Sequence, residues 1–304
     1  MPDDSPALAG RIVRAQSGFF EVETAQGNIV AQLRGRLKQP RSSTDLIALG
    51  DLVQVRLLED GTGRIEHVEP RTRVLSRTAP GRRREQVIVA NPDQAVFILA
   101  SADPDPNLRV LDRLLVVAER EHLPAVVCVN KVDLVYLRDA REVFDLYRRI
   151  GYPVCYTSAR TGRGLPELRK LLHDRLSVFA GPSGVGKSSL LNALQPGLGL
   201  ATQEISRATH KGTHSTVAPR LIRLHDGGYV ADTPGLKAFA LWDVEPSELD
   251  GYFPEIRPLV SGCAYSDCTH DHEPGCAVLK ALERGEIAPE RLDSYHRMRR
   301  GEFS

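Results

Sequence analysis

The feature that most constrains the fold of this chain is the segment 181–188, which reads Gly-Pro-Ser-Gly-Val-Gly-Lys-Ser. It lies between an apolar stretch at 177–180 and a leucine-rich stretch at 189–194, so it predicts a strand, a loop and a helix in succession. In such a loop, backbone N–H groups converge on phosphate oxygens, and the start of the helix adds partial positive charge. A chance glycine-rich turn is the competing interpretation, and the flanking strand and helix argue against it.

The loop predicts how a nucleotide would be held. Lys187 is expected to reach the β- and γ-phosphates, which makes it a candidate catalytic residue, and the Ser188 hydroxyl is expected to ligate Mg²⁺. The predicted contacts are Gly181, Pro182, Ser183, Gly184, Val185, Gly186, Lys187, Ser188 and Ser189.

The sequence around this loop has an α/β pattern. Continuous apolar runs at 95–100 and 125–129 predict strands, while 109–121 and 165–176 have helical spacing. Apolar strands that alternate with helices indicate a parallel sheet covered on both faces. We therefore predict an α/β phosphate-loop domain over residues 87–245.

A second motif distinguishes guanine from adenine. Asn130-Lys131-Val132-Asp133 follows the strand at 125–129. The Asp133 carboxylate can accept hydrogen bonds from guanine N1–H and the 2-amino group, two donors that adenine lacks. Asn130 is predicted to brace the loop, and the Lys131 stem can lie against the base. Ser158 and Ala159, in a Thr-Ser-Ala segment after a short strand, match the next guanine-loop motif.

The γ-phosphate sensor follows the phosphate loop. Asp232-Thr233-Pro234-Gly235 comes after a strand at 228–231, and we expect Asp232 to hold Mg²⁺ through water and the Gly235 amide to contact the γ-phosphate. The polar segment 203–216 reads as a switch. Thr216 is the first choice for a second Mg²⁺ ligand, and Ser215 is the alternative.

The order of these motifs is unusual, because the guanine reader precedes the phosphate loop. Joining the original termini of a domain and cutting it elsewhere produces such an order, and it is tolerated because domain termini often lie close together. The sensor at 232–235 then leads directly into the cysteine-rich segment, which gives the nucleotide state a covalent route to another domain.

The residue after the sensor raises a question about hydrolysis. Ras-type enzymes carry a water-orienting glutamine there, whereas this chain has Leu236, which cannot hydrogen-bond to water. Intrinsic turnover is expected to be slow, with a partner completing the site. His214 could supply a replacement imidazole, or it could be an exposed loop histidine.

Two further units flank the α/β domain. Residues 1–70 contain about five short strands and predict a small barrel, either of the oligonucleotide-binding (OB) type or SH3-like. Residues 71–86 are predicted as an arginine-rich linker, which either serves as a solvated connector or contacts nucleic-acid phosphates.

The segment 246–304 is predicted to be a helical zinc-binding domain. Cys263, Cys268, His270 and Cys276 offer three thiolates and one imidazole, the ligand set of a closed structural zinc site. Coincidental clustering of buried cysteines is the alternative, and His272 is a possible substitute ligand. An odd count of five cysteines argues against a disulfide framework.

Composition adds exclusions. No apolar run approaches the roughly 20 residues needed to span a bilayer, and the acidic start of the chain does not resemble a secretion signal. The net charge of +1 says little about partners. We expect a cytoplasmic monomer that does not bind membranes.

These motifs, in this order, resemble the circularly permuted, ribosome small-subunit-dependent GTPase A family of bacteria. Segments 91–95 and 107–113 also look like that family's. The resemblance implies an OB-type barrel at 8–70 and Zn²⁺ held by the cysteines and histidine named above. It further implies GTP hydrolysis to GDP that is stimulated by the small ribosomal subunit during its late maturation, with 16S rRNA as a partner. The family's switch carries His-Thr-Thr, whereas this chain has His214, Ser215 and Thr216.

Two other functions stay open. One is an RNA-binding scaffold whose nucleotide site binds GTP but barely hydrolyses it, which Leu236 would allow. The other is a permuted GTPase that serves a protein or membrane partner, with the barrel as an interaction module.

Overall fold

The computed structural model describes residues 7–33, 47–78, 85–200, 220–232 and 244–302. Several predicted site residues lie outside these ranges, and they are His214, Ser215, Thr216, Gly235 and Leu236. Only the backbone of Asp232 is described. The roles predicted for these residues therefore stay predictions.

The N-terminal unit is a closed barrel. Its strands are β1 (Leu8–Gln16), β2 (Phe19–Thr24), β3 (Gly27–Leu33), β4 (Leu52–Leu57) and β5 (Gly63–Val68). They follow the order β1-β2-β3-β5-β4, and β4 pairs back onto β1. Alternating residues such as Ile12, Val22 and Ile65 are fully buried inside. The predicted five-stranded barrel is confirmed.

An antiparallel hairpin of β6 (Val74–Thr78) and β7 (Glu85–Ala90) follows the barrel. Most of β6 therefore falls in the segment 71–86 that is predicted as a linker. Leu75 of β6 and Val89 of β7 pair in the ladder and pack with Val13 of the barrel. Their apolar alternation is short and lies among many arginines, so charge dominated the sequence pattern.

The central unit is built on a mainly parallel sheet. Its strands are β8 (Gln94–Ala100), β9 (Ala125–Asn130), β10 (Val154–Tyr156), β11 (Leu176–Ala180), β12 (Arg220–Arg223) and β13 (Tyr229–Asp232). The order is β10-β9-β8-β11-β13-β12, with only β12 antiparallel to its neighbour. β12 also pairs with β1, so sheet and barrel are continuous.

Helices cover both faces of this sheet, as the continuous apolar strands predict. They are α1 (Leu108–Arg120), α2 (Leu137–Arg149), α3 (Leu165–Leu172) and α4 (Lys187–Leu194). α1 and α2 pack on one face and α3 and α4 on the other. Among the described helices, none has the length and apolar character needed to cross a membrane.

The C-terminal unit consists of two 3₁₀ turns, Leu249–Tyr252 and Arg257–Gly262, followed by α5 (Ala277–Glu283) and α6 (Pro289–Arg299). α6 docks on α1 through a buried ion pair, in which Arg291 contacts Asp112 of α1 at 2.5 Å and Glu255 at 2.6 Å. The Tyr147 hydroxyl of α2 donates to Asp112 at 2.7 Å. The sequence-based interpretation did not identify this contact.

Candidate nucleotide and metal sites

The predicted nucleotide segments follow the ends of neighbouring parallel strands. Segment 130–133 continues from β9, 157–159 from β10 and 181–188 from β11, while Asp232 ends β13. Because these strands are parallel, their carboxyl ends meet at one edge of the sheet, which is where ligands bind in open α/β folds. The structure therefore brings together every predicted nucleotide segment whose backbone it describes.

The phosphate loop ends at the start of α4. The helix cap, Gly186, has a left-handed backbone and no side-chain cap, so the first N–H groups of α4 are free of capping competitors for an anion. The Lys187 ammonium donates to the carbonyl oxygens of Gly181 at 2.8 Å and Pro182 at 2.7 Å. It thus lies against the loop that would enclose the phosphates. Ser188 and Ser189 are half-buried in the first turn.

Two glycines in this loop are required by close contacts. A Cβ at Gly181 would lie 2.1 Å from the carbonyl oxygen of Ile98, and one at Gly186 would lie 2.5 Å from Asn130 Nδ2. Both glycines also have positive φ angles, which side chains disfavour. The fixed glycines of the motif therefore bring the loop against β8 and the guanine reader.

Asn130 joins the three loops. Its Nδ2 donates to the carbonyl of Val185 at 2.9 Å, and its Oδ1 accepts from the Thr157 hydroxyl at 3.3 Å and the Ala159 amide at 3.4 Å. The side chain is 1% exposed. It therefore has the bracing geometry that the sequence predicts.

Asp133 presents a partly buried carboxylate beside this brace. Ser158 Oγ donates to its Oδ1 at 2.5 Å, and Arg160 Nε donates to its Oδ2 at 2.8 Å. Burial alone would raise the pKa of Asp133, but the hydrogen bonds from Ser158 and Arg160 hold it below the ordinary value. The group is thus an anionic acceptor, as recognition of guanine N–H donors requires. Arg160 was not predicted, since its loop position gives no periodic signal.

The remainder of the guanine loop is fixed from β8. Ser101 Oγ donates to the carbonyl oxygen of Lys131 at 2.8 Å, and the Lys131 ammonium donates to the carbonyl of Asp103. Val132 is buried and its amide donates to the Thr157 carbonyl at 3.2 Å. The loop after β8 therefore supports the loop after β9.

The cysteine–histidine cluster has the dimensions of a tetrahedral metal site. The ligand atoms of Cys263, Cys268, His270 and Cys276 all lie within 4.8 Å of one another. Cys263 Sγ is 3.9 Å from Cys276 Sγ, and His270 Nδ1 is 3.4 Å from Cys276 Sγ. Tetrahedral Zn²⁺ with ordinary bond lengths separates its ligand atoms by about 3.5–3.8 Å. The donor set and its spacing fit Zn²⁺.

Groups around the cluster orient the ligands. His270 is fully buried, and its Nε2 lies 3.7 Å from Asp250 Oδ2, which leaves Nδ1 facing the sulfurs. Burial lowers the pKa of His270, although Asp250 opposes the shift, so the imidazole is neutral as a metal ligand must be. His272 is exposed and lies outside the cluster.

Glu273 organises the loop between these ligands. Its carboxylate accepts from the backbone amides of Thr269 at 2.6 Å, Asp271 at 3.0 Å and His272 at 3.2 Å. Burial opposes these hydrogen bonds, yet they hold the pKa of Glu273 far below its usual range. Sequence reasoning missed this residue, although an acid between two paired ligands is the available signal.

The comparisons identify the family. The family model for the RsgA GTPase matches residues 68–242, and the model for the RsgA N-terminal domain matches residues 9–65. The chain belongs to the RsgA GTPase family. GTP and GDP are thus its nucleotides, and GTP hydrolysis is its class of activity.

Relatives of the RsgA GTPase family match the chain over nearly its whole length. A "Small ribosomal subunit biogenesis GTPase RsgA" from Gemmatimonas aurantiaca is 45% identical, and the match covers 96% of this chain and 97% of that protein. The crystal structure of YjeQ from Thermotoga maritima has a TM-score of 0.80 at 37% identity, covering 98% of this chain and 99% of that one. YloQ, described as a circularly permuted GTPase, has a TM-score of 0.77 at 31% identity, with 99% and 97% covered.

These similarities agree with the strand order. In this RsgA GTPase family member, β8, β9 and β10 precede β11 in the chain, yet β11 lies between β8 and β13. The guanine reader therefore comes before the phosphate loop without any change in their spatial arrangement. The predicted circular permutation is confirmed.

Proposed function

We propose that this chain hydrolyses GTP during biogenesis of the small ribosomal subunit, and that the subunit, through its 16S rRNA, stimulates turnover. The observation that carries the proposal is full-length similarity to a protein named for that process, together with a guanine reader joined to a phosphate loop through Asn130. We expect the chain to act as a monomer in the cytoplasm, where ribosomal subunits are assembled.

Residue roles in the nucleotide site follow from the geometry. Asp133 and Ser158 select guanine, Asn130 holds the loops together, and the 181–188 loop with Lys187 binds the phosphates. Val132, Lys131 and Ala159 complete the base pocket. The support is their common position at the carboxyl edge of the sheet.

Two metal ions belong to the proposal. Mg²⁺ would be held by Ser188 and Thr216, with Asp232 acting through water and Gly235 contacting the γ-phosphate; it would neutralise charge that develops on the phosphates. Zn²⁺ would be a structural ion held by Cys263, Cys268, His270 and Cys276.

The test is GTP turnover measured with and without purified small ribosomal subunits, at two salt concentrations. We expect slow turnover alone, because Leu236 cannot orient water, and a large increase with subunits. Absence of stimulation at both salt concentrations would contradict the proposed function. Subunit binding and GDP release without faster turnover would instead favour the RNA-binding scaffold.

A further inference from the structure

The barrel and the GTPase sheet meet at two arginines. The register between β1 and β12 pairs Arg14 directly with Arg220. Directly opposite side chains on antiparallel strands have Cβ atoms roughly 4.5–5.5 Å apart, and like charges at that separation are destabilising. The one register pair that joins the two units therefore concentrates positive charge.

Neither arginine is neutralised by a described side chain. Arg14 donates to Gln16 Oε1 at 3.1 Å, and the buried Nε of Arg220 has no hydrogen-bond partner. Glu21 is the register partner of Arg14 on β2, but its carboxylate accepts from Asn28 at 2.8 Å. Across the described ranges, no ion pair involves Arg14 or Arg220. An anion supplied from outside would relieve the repulsion.

The next row along the same outer face adds other groups. Gln16 of β1 is in register with Phe19 of β2, Phe19 with Gln32 of β3, and Gln32 with Arg64 of β5. Phe19 is 51% exposed, although aromatic side chains usually lie inside. An exposed aromatic ring beside unpaired arginines suits a base stacked next to its phosphate.

We propose that this surface, the junction face, binds a single-stranded RNA segment, with a phosphate between Arg14 and Arg220 and a base on Phe19. We define the junction face by Arg14, Gln16, Phe19, Gln32, Arg64 and Arg220. The inference rests on the proposed function and names the chemistry of the RNA contact. An acidic protein would satisfy the arginines, but it would not require a ring suited to base stacking.

The junction face connects RNA to the nucleotide site. Arg220 is the first residue of β12, immediately after the predicted switch, and its register partner on β13 is Asp232. A phosphate that bridges the arginines stabilises the β1–β12 pair. It thereby fixes the strand between the barrel and the proposed Mg²⁺ aspartate, so RNA binding is coupled to hydrolysis.

The experiment measures binding of a fluorescein-labelled oligouridylate of about 12 nucleotides, a length within the range that one such barrel covers. Fluorescence anisotropy is recorded between 50 and 300 mM KCl for the unmodified chain and for Arg14→Gln, Arg220→Gln and Phe19→Ala. The control is Arg138→Gln, which removes the same charge from a side chain of α2 that is 80% exposed.

Each arginine variant is expected to bind RNA about fivefold more weakly at 0.1 M salt, with a salt slope smaller by about 0.7, the value for one lost phosphate contact on a single strand. Phe19→Ala is expected to bind at least about fivefold more weakly. Arg138→Gln should bind as the unmodified chain does. Unchanged affinity and slope in both arginine variants would overturn the proposal, as would unchanged affinity in Phe19→Ala.

Two further measurements exclude a structural explanation. Loss of an arginine relieves repulsion, so the thermal unfolding midpoint should stay constant or rise; lower midpoints in both variants would make the arginines structural and overturn the proposal. The ratio of subunit-stimulated to unstimulated GTP turnover should fall in Arg14→Gln. If small subunits do not stimulate even the unmodified chain, the proposed function fails, while the oligouridylate comparison still tests the junction face.

Discussion

At the scale of single residues, base recognition depends on one carboxylate. Asp133 is held by Ser158 and Arg160, and its ionised oxygens can accept from two donors of guanine. Its motif predicted this role, because the required acceptor follows directly from the chemistry of the base. The Arg160 contact could not be predicted, because it depends on the conformation of the loop after β10.

Replacing the acceptor should change the base that is bound. Asp133→Asn substitutes an NH₂ donor for one acceptor oxygen, so GDP affinity should fall about 100-fold. Xanthosine diphosphate, which carries a carbonyl in place of the 2-amino group, should then bind more tightly than GDP. Isothermal titration calorimetry with both nucleotides measures the change.

The matched control is Asp139→Asn, an exposed acid of α2 that loses the same charge. It should keep the affinity for GDP within about twofold, as surface substitutions usually do. Equal GDP affinity in both variants would show that Asp133 does not read the base.

His214 is the candidate replacement for the missing glutamine. His214→Ala should lower subunit-stimulated turnover by about 100-fold, the range of one positioned acid–base or orienting group, while GTP binding is spared. Stopped-flow phosphate release with saturating subunits measures it. His225→Ala, an exposed histidine after β12, is the control. Unchanged stimulated turnover would remove His214 from the mechanism.

At the scale of secondary-structure elements, the buried strands were the most predictable. Their continuous apolar runs require coverage on both faces, which fixes the class of sheet before any contact is known. The hairpin β6–β7 and the short β12 were missed, because a strand of four or five residues gives too little periodicity beside arginines. The zinc ligands were found from spacing, whereas Asp250 approaches His270 only through the tertiary fold.

The docking of α6 on α1 also depends on partners distant in sequence. The Arg291 guanidinium lies 4.5 Å above the Phe253 ring and pairs with Asp112 and Glu255. Burial alone would lower the pKa of Arg291, but those two carboxylates raise it above its usual value. The arginine is therefore charged at all working pH values, and both acids depend on it.

Arg291→Ala should lower the free energy of unfolding by about 3–5 kcal/mol, because two carboxylates stay buried without their cation. The measurement is urea denaturation followed by circular dichroism at 222 nm. Arg284→Ala, which breaks an exposed pair with Glu286, should cost less than about 1 kcal/mol. Similar midpoints for the two variants would mean that the buried ion pair does not stabilise the docked unit.

At the scale of the whole molecule, one metal ion is expected to hold the C-terminal unit together. His270→Ala should reduce bound zinc from about one ion per chain to a small fraction, and the 244–302 segment should become sensitive to protease, since structural zinc supplies folding free energy. Mass spectrometry of bound metal and limited proteolysis provide the measurements.

His272→Ala is a close control, because this histidine lies two positions away and is 83% exposed. It should retain zinc and protease resistance. GDP affinity should change little in either variant, because the nucleotide loops extend from β9, β10 and β11 rather than from the C-terminal unit. Equal zinc content in the two variants would contradict the assignment of His270.

The long-range pairing of Asp112 with Arg291 has a consequence for synthesis of the chain. The two residues are 179 positions apart, so a growing polypeptide exposes the acid of α1 well before the matching cation is translated. Until then, closing the core around α1 would bury an unpaired charge, which is strongly unfavourable. The nascent GTPase unit should therefore stay incompletely packed until α6 leaves the exit tunnel, which delays maturation of the nucleotide pocket to the end of translation.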